Sequence, residues 1–470
     1  RFESLTANGL AALAFVKNTL ADIADISAIE NGFRATFPPV NNELDERSRL
    51  MATNQFSALR AFLQMQNDDH HEFGIFLGGT FAFDMMSMSE VLPNVGDSEN
   101  SCPDYVYYLA ETLVVIDHEK RSSEIIGNVF SGPEQHKCYF EISRRLSEIK
   151  EVMASFTYDG EQVMTNNSTQ PAINCENAEL SVDVSDEDFC QTVEQLKEHI
   201  KAGDIFQVVP SRTFSLPCTD TFAAYAALKR SNPSPYMFYL QDREFCMFGA
   251  SPESALKFQH SNRQVEVYPI AGTRPRGFNA NGEFSPDLDS RLELDLRQDQ
   301  KELAEHIMLV DLARNDIARV SKAGTRHVAD LLKVDRYSHV MHLVSRVCGT
   351  LADELDALHA YQACMNMGTL SGAPKVRATE LIRQYEGKRR GSYGGAVGYL
   401  TGTGDMDTCI VIRSAFVKNQ TAYIQAGAGV VFDSNPQAEA NETRQKAQAV
   451  ISAIQLSESI IAQLLEGVSP

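Results

Sequence analysis

The chain of 470 residues carries 42 basic against 63 acidic side chains, a formal net charge of −21, and 43% hydrophobic residues. That length exceeds the usual size of a single core, so two lobes or one large composite core are expected, and the charge excludes nucleic acid and anionic membrane as partners because phosphate surfaces repel it. Nine cysteines without a C-x-x-C pair fit neither a disulfide framework nor a thiolate metal site; with no leader pattern and no apolar run near the roughly 20 residues of a membrane span, a reducing cytosol is the expected compartment.

The sequence starts at Arg1 rather than Met, which implies that residues once preceded it. Residues 1–157 mix short strands and helices, with turn punctuation at Pro93-Asn94-Val95-Gly96-Asp97 and a β-favouring run through Tyr105-Val106-Tyr107-Tyr108. Residues 158–184 are polar, rich in Asn, Ser and Glu and aperiodic, so a linker is expected there. Ser185 and Asp188 stand in cap spacing ahead of Phe189, Val193, Leu196 and Ile200, predicting a helix that ends at Gly203 and is followed by a strand from Ile205 to Phe214. A second helix is expected around Gln300–His306, with Leu303, Ile307 and Val310 as its core stripe. Three β-rich runs, Gly394 to Leu400, Cys409 to Val417 and Ala422 to Val431, read as an antiparallel meander. Asn435 caps a further helix with Pro436 at its first position. A catalytic region over 185–456 and a helix end and tail over 457–470 complete the chain, and the absence of regular βαβ alternation predicts an α+β fold.

Chemistry concentrates in that second region. Glu302 with Glu305 and Glu439 with Glu442 are E-x-x-E pairs on expected helices, where residues three apart share a face and can aim oxygens at one place. Hard oxygen donors of this kind suit Mg²⁺, although such pairs are commonly solvated surface. The helix start at Pro436 should keep Glu439 and Glu442 ionised, because unpaired N–H groups there favour negative charge. Glycine-bearing segments at Gly272, Gly372, Gly394 and Gly427-Ala428-Gly429 allow a backbone to approach a ligand. Arg413 lies inside an expected apolar strand, Cys409-Ile410-Val411-Ile412-Arg413, where a charge needs a partner or a ligand. His342 lies in an apolar strand, as core histidines also do. Glu253, in a tight turn after Ser251-Pro252, is either a desolvated proton donor or the cap of a following helix.

Taken in order, PIAGTRPRG from Pro269, LVDLARND from Leu309, GTLSGAPK from Gly368, GSYGGAVGY from Gly391, DTCIVIRSA from Asp407 and QAGAGVVFDS from Gln425 resemble the chorismate-utilising enzymes, nearest to their anthranilate synthase component I branch. The resemblance spans about Ser185 to Ile454 and extends more loosely to the N-terminal stretch. It implies an α+β fold of two stacked, largely antiparallel sheets with outer helices around a Mg²⁺ and chorismate site. Glu305 and Glu442 match the direct metal ligands, with Glu302 and Glu439 beside them acting through water. Gly272, Thr273, Tyr393, Arg413, Gly427, Ala428 and Gly429 match positions that hold chorismate, and Lys375 is a further electrostatic candidate. Glu253 matches the proposed acid for the C4 hydroxyl, His342 the residue assigned to the elimination half, and Gln207 and Thr369 complete the catalytic set.

Within the family two positions separate the reactions. Ala271 stands where relatives that make aminodeoxychorismate often carry a nucleophilic lysine, and Gln207 where relatives that add water place a lysine base. The implied reaction is therefore addition of ammonia and formation of anthranilate, rather than aminodeoxychorismate synthesis or a silent tryptophan-sensing paralogue. No G-x-C-x-G nucleophile elbow occurs in the chain, so the resemblance implies a separate glutamine amidotransferase subunit, in a heterotetramer, as the ammonia source. Asn232, Pro235, Tyr236 and Met237, with Cys409, match one wall of an L-tryptophan inhibitor pocket, and Phe2-Glu3-Ser4 resembles a remnant of the other wall.

Overall fold

A computed structural model describes residues 1–41, 43–65, 71–156, 180–279, 281–337 and 340–465; most of the expected linker, 158–179, and the tail residues 466–470 lie outside them. The chain folds as two units, Arg1–Gly78 with Tyr107–Asn174 and Tyr399–Asp405, and Gly79–Val106 with Cys175–Gly398 and Met406–Pro470. Residues 79–106 thus count with the second unit although they precede the expected boundary.

In the first unit, strands Phe2–Glu3, Gly32–Thr36 and Asp25–Ile29 pair antiparallel in that order. Helix Ala7–Leu20, capped by the Thr6 side chain, packs Leu13, Val16 and Leu20 onto Phe33 and Ala61. The helices Glu46–Met51 and Phe56–Leu63, a hairpin of Thr112–Asp117 with Ser122–Gly127 and the helix Gln135–Ser155 also belong to it.

The second unit is built on two sheets. One orders its strands Tyr236–Gln241, Cys246–Ser251, Ser414–Lys418, Thr421–Gly427, Ser211–Pro217 and Ser181–Val182. The other runs Ile270–Pro275, Val340–Thr350, Gln264–Val267, Ser254–Gln259, Met406–Ile410 and the start of Ala396–Thr401, with His327–Arg336 paired to Val340–Thr350. Strand alternation explains how the sheets pack. Cys246, Phe248 and Ala250 face a core shared with helices Thr221–Ser231 and Pro436–Leu465, whereas Phe245, Met247 and Phe416 face Val397 and Cys409 of the other sheet. The sheets are therefore stacked, antiparallel and flanked by helices, as an α+β reading requires.

Expected elements fall largely in place. Helix Asp186–Ala202 carries its Ser185 cap and a left-handed Gly203, and the Asn435 side chain accepts the Ala438 N–H at 3.0 Å ahead of Pro436–Leu465. Three expectations are corrected. The three β-rich runs do not form one meander, because the chain leaves one sheet at Ile410 and enters the other at Ser414. Ile307 is 45% exposed, and the buried stripe of helix Gln300–Ala318 is His306, Leu309, Val310 and Ala313. A strand, Ser254–Gln259, follows Glu253, so that residue caps no helix.

Candidate active site

The helix Gln300–Ala318 opens with Asp299, whose side chain accepts the Lys301 and Glu302 N–H groups. This cap fixes the turn from which Glu302 and Glu305 project. Pro436–Leu465 buries Ala440, Thr443, Ala447, Val450 and Ile454 at helical spacing and carries Glu439 and Glu442 in its first two turns. All four carboxylates line one cavity of about 630 Å³, within the second unit. A volume of that size suits a small organic ligand.

The other walls come from both sheets. Thr273 and His342 are cross-strand partners, and the Thr273 hydroxyl lies 2.9 Å from His342 Nδ1. Gly272 between Ala271 and Thr273 forms a bulge with φ +81°, a backbone that side chains rarely adopt. Gln207, Glu253, Thr369, Tyr393, Arg413, Gly427 and Gly429 also line the cavity. Ala428 is buried behind them, its N–H donated to the Pro210 carbonyl at 3.1 Å.

Arg413 does not sit within a strand. It occupies the break between the two sheets with φ +50°, a left-handed geometry that costs a residue with a Cβ roughly 1–2 kcal/mol. Strain of this kind gathers at functional positions. Among the described residues its guanidinium has no hydrogen-bond or ion-pair partner, and burial pushes its pKa down. A half-buried cation left open to a cavity is an anion receptor.

Burial sets the remaining charges. It pushes the Glu253 carboxyl up, against the 3.1 Å hydrogen bond it accepts from Thr369. His342 is pushed down to about 4 by burial and by Arg413, so its imidazole is neutral near pH 7. Glu305 is raised to about 7 by burial and by Glu302, Glu439 and Glu442 around it. Burial and its neighbour Glu442 raise Glu439, against the helix-start effect, while Glu442, which burial would also raise, is held low by Lys446 at 2.7 Å.

Glu305 Oε1 is buried without a hydrogen-bond partner. An orphaned carboxylate oxygen among three other carboxylates fits a hard divalent cation. No group of three or more His, Cys, Asp or Glu side chains among the described residues stands in ligand geometry already. Glu302 leans on Arg274 at 3.3 Å and Glu442 on Lys446 at 2.7 Å. Protein cations thus stand against three of the carboxylates, Lys301 lying 3.8 Å from Glu305 Oε1.

Lys375 does not line the cavity; its ammonium is engaged by Asp316 at 2.5 Å and the Cys364 carbonyl at 2.8 Å. Sequence reasoning missed Lys301 and Lys446, which do line it, although both stand four residues from a site glutamate, the spacing of a helical ion pair. The expected tryptophan set divides. Tyr236 packs with the buried Cys409 and donates to Asp407 at 3.0 Å, whereas Met237, next along the strand, packs into the core on the opposite face. Asn232 ends helix Thr221–Ser231, and Pro235 precedes the strand carrying Tyr236. Phe2–Glu3 forms an edge strand of the first unit.

Residues 25–452 match the model of the family described as chorismate binding enzyme. The chain is 56% identical over 456 residues to anthranilate synthase component 1 of Vibrio cholerae serotype O1, covering 96% of this chain and 84% of that protein. It is 53% identical over 453 residues to the protein of the same name from Escherichia coli, covering 96% and 85%. The crystal structure of anthranilate synthase component I from Streptococcus pneumoniae superposes with a TM-score of 0.71 at 32% identity, covering 91% of each chain.

Proposed function

The chain belongs to the chorismate binding enzyme family, and from that membership we propose that its cavity adds ammonia to chorismate and carries the adduct on to anthranilate and pyruvate. Its function is that of an anthranilate synthase component 1, an enzyme of tryptophan biosynthesis that uses chorismate. The observation that carries the finer reading is the unpartnered Arg413 in a cavity with four carboxylates. A dianionic substrate needs both a cation of the protein and relief from those acids.

Arg413 takes one substrate carboxylate, and its planar fork grips two oxygens at once. Glu305 and Glu442, with Glu302 and Glu439 beside them, would hold Mg²⁺, which when bound neutralises the substrate's ring carboxylate. Glu253, whose carboxyl burial pushes up toward its proton-bearing form, gives a proton to the C4 hydroxyl, which leaves as water while ammonia forms the C2–N bond and the ring double bonds shift. The new nitrogen sheds one proton to solvent. Gln207 is an amide and takes no proton; that suits ammonia, whose lone pair is already free, and fails water. Neutral His342 then takes the C2 proton, the C3–O bond breaks, and the departing enolpyruvate gains a proton to become pyruvate as the ring turns aromatic. Ammonia reaches this chain from a glutamine amidotransferase subunit, and L-tryptophan bound beside Tyr236 and Cys409 inhibits it.

Incubation with chorismate, Mg²⁺ and ammonium tests the reading. Anthranilate fluorescence is the expected outcome, and an amino product that keeps its enolpyruvyl group overturns it.

A further inference from the structure

Behind the cavity lies a buried ion pair that the chemistry above does not use. The Arg390 and Glu386 side chains are 1% and 5% exposed. Arg390 Nε and Nη2 donate to the two Glu386 oxygens at 2.9 and 2.5 Å, Nη1 donates to the Leu370 carbonyl at 2.8 Å, and Nη2 also to the Val209 carbonyl at 2.6 Å. The guanidinium centre lies 5.5 Å from the Tyr393 ring centroid. Glu386 in turn accepts the Ser211 N–H at 2.9 Å and its hydroxyl at 2.8 Å, and Ser211 Oγ accepts the Gln425 amide at 2.8 Å. Val209, Leu370, Tyr393 and Gln425 all line the cavity.

A buried ion pair is a poor source of stability, because its desolvation cost offsets much of its attraction and a well-packed apolar pair would serve as well. What this one supplies is geometry. One flat cation holds two backbone carbonyls and an aromatic ring from three separate segments, and its partner carboxylate fixes Ser211 close to Val209 in the chain; the Ser211 hydroxyl in turn holds the Gln425 amide. We propose that Arg390 and Glu386 are positioning residues that set the chorismate-binding wall. This inference rests on the functional reading above and assigns that wall its support.

The test compares wild type with Arg390→Lys, which keeps the charge but cannot serve both carbonyls, the carboxylate and the ring together. Chorismate affinity is measured by calorimetry without ammonium, so that no turnover occurs, alongside KM for each substrate and the unfolding midpoint. The expected result is chorismate binding weakened about tenfold, with KM for ammonium and kcat at saturating chorismate within about twofold of wild type. A variant with unchanged chorismate affinity, whatever its midpoint or kcat, overturns the proposal. If Arg390→Lys does not fold, Ser211→Ala decides by the same ratio: chorismate affinity about threefold weaker supports the wall's support, and none overturns it. The functional reading fails separately, on wild type that makes no anthranilate.

Discussion

Arg413 and Glu305 bring opposite charges into one cavity, and neither has a strong partner of its own there. Arg413→Gln should lower kcat/KM for chorismate by roughly 30-fold or more, the loss of a charge-assisted hydrogen bond worth about 2 kcal/mol, with little change in the unfolding midpoint. Glu305→Gln should abolish the calorimetric Mg²⁺ response, because the amide removes a ligand charge at nearly constant volume; unchanged binding would remove Glu305 from the ligand set. His342 gives a pH signature. Its folded pKa of about 4 lies below the ordinary 6.5, so between those values the unfolded chain takes up a proton that the folded chain refuses. Its contribution is therefore complete above pH 6.5 and is lost as pH falls toward 4. His342→Gln should show a smaller fall in unfolding midpoint from pH 7 to pH 5 than wild type. Arg413 was legible in the sequence as a charge in apolar company, whereas the four glutamates and Gly272, ordinary as surface pairs and as a turn, were singled out by the ordered motifs around them. Lys375 was misread because a lysine in a glycine-rich motif looks the same whether it meets a ligand or a buried aspartate, and only the fold brings Asp316 to it.

Helix ends were readable because their signals are local. Ser185, Asn435 and Gly203 do their work within a few residues of themselves. Asp299 offers a test at this scale: it caps Gln300–Ala318 and also accepts from Arg274 at 2.7 Å. Asp299→Ala should cost about 1 kcal/mol in denaturant unfolding and weaken Mg²⁺ binding, because the turn bearing Glu302 and Glu305 loses its anchor. The strands were less readable. Cys409 to Val417 is apolar on both sides of Arg413, and hydrophobic pattern alone cannot say that the first half pairs with Ser254–Gln259 and the second with Cys246–Ser251. Pairing partners as distant as Ser254 and Cys409 leave no local mark.

At the scale of the molecule, ordered motifs revealed the family while the division into units stayed hidden, since residues 79–106 and 399–405 join units that their sequence neighbours do not. The chain taken alone should form anthranilate with ammonium and none with glutamine; a glutamine-dependent rate from the purified chain would show that it carries a glutaminase of its own. The turn at Arg413 has a last consequence. Where the polypeptide changes layers, it also presents the cation proposed to receive substrate, so that an occupied pocket would rivet one slab of the sandwich to the other. Chorismate should then slow proteolytic nicking at the seam between Ile410 and Ser414 more than nicking of the hairpin Thr112–Gly127, a difference that peptide mapping of a timed digest would display.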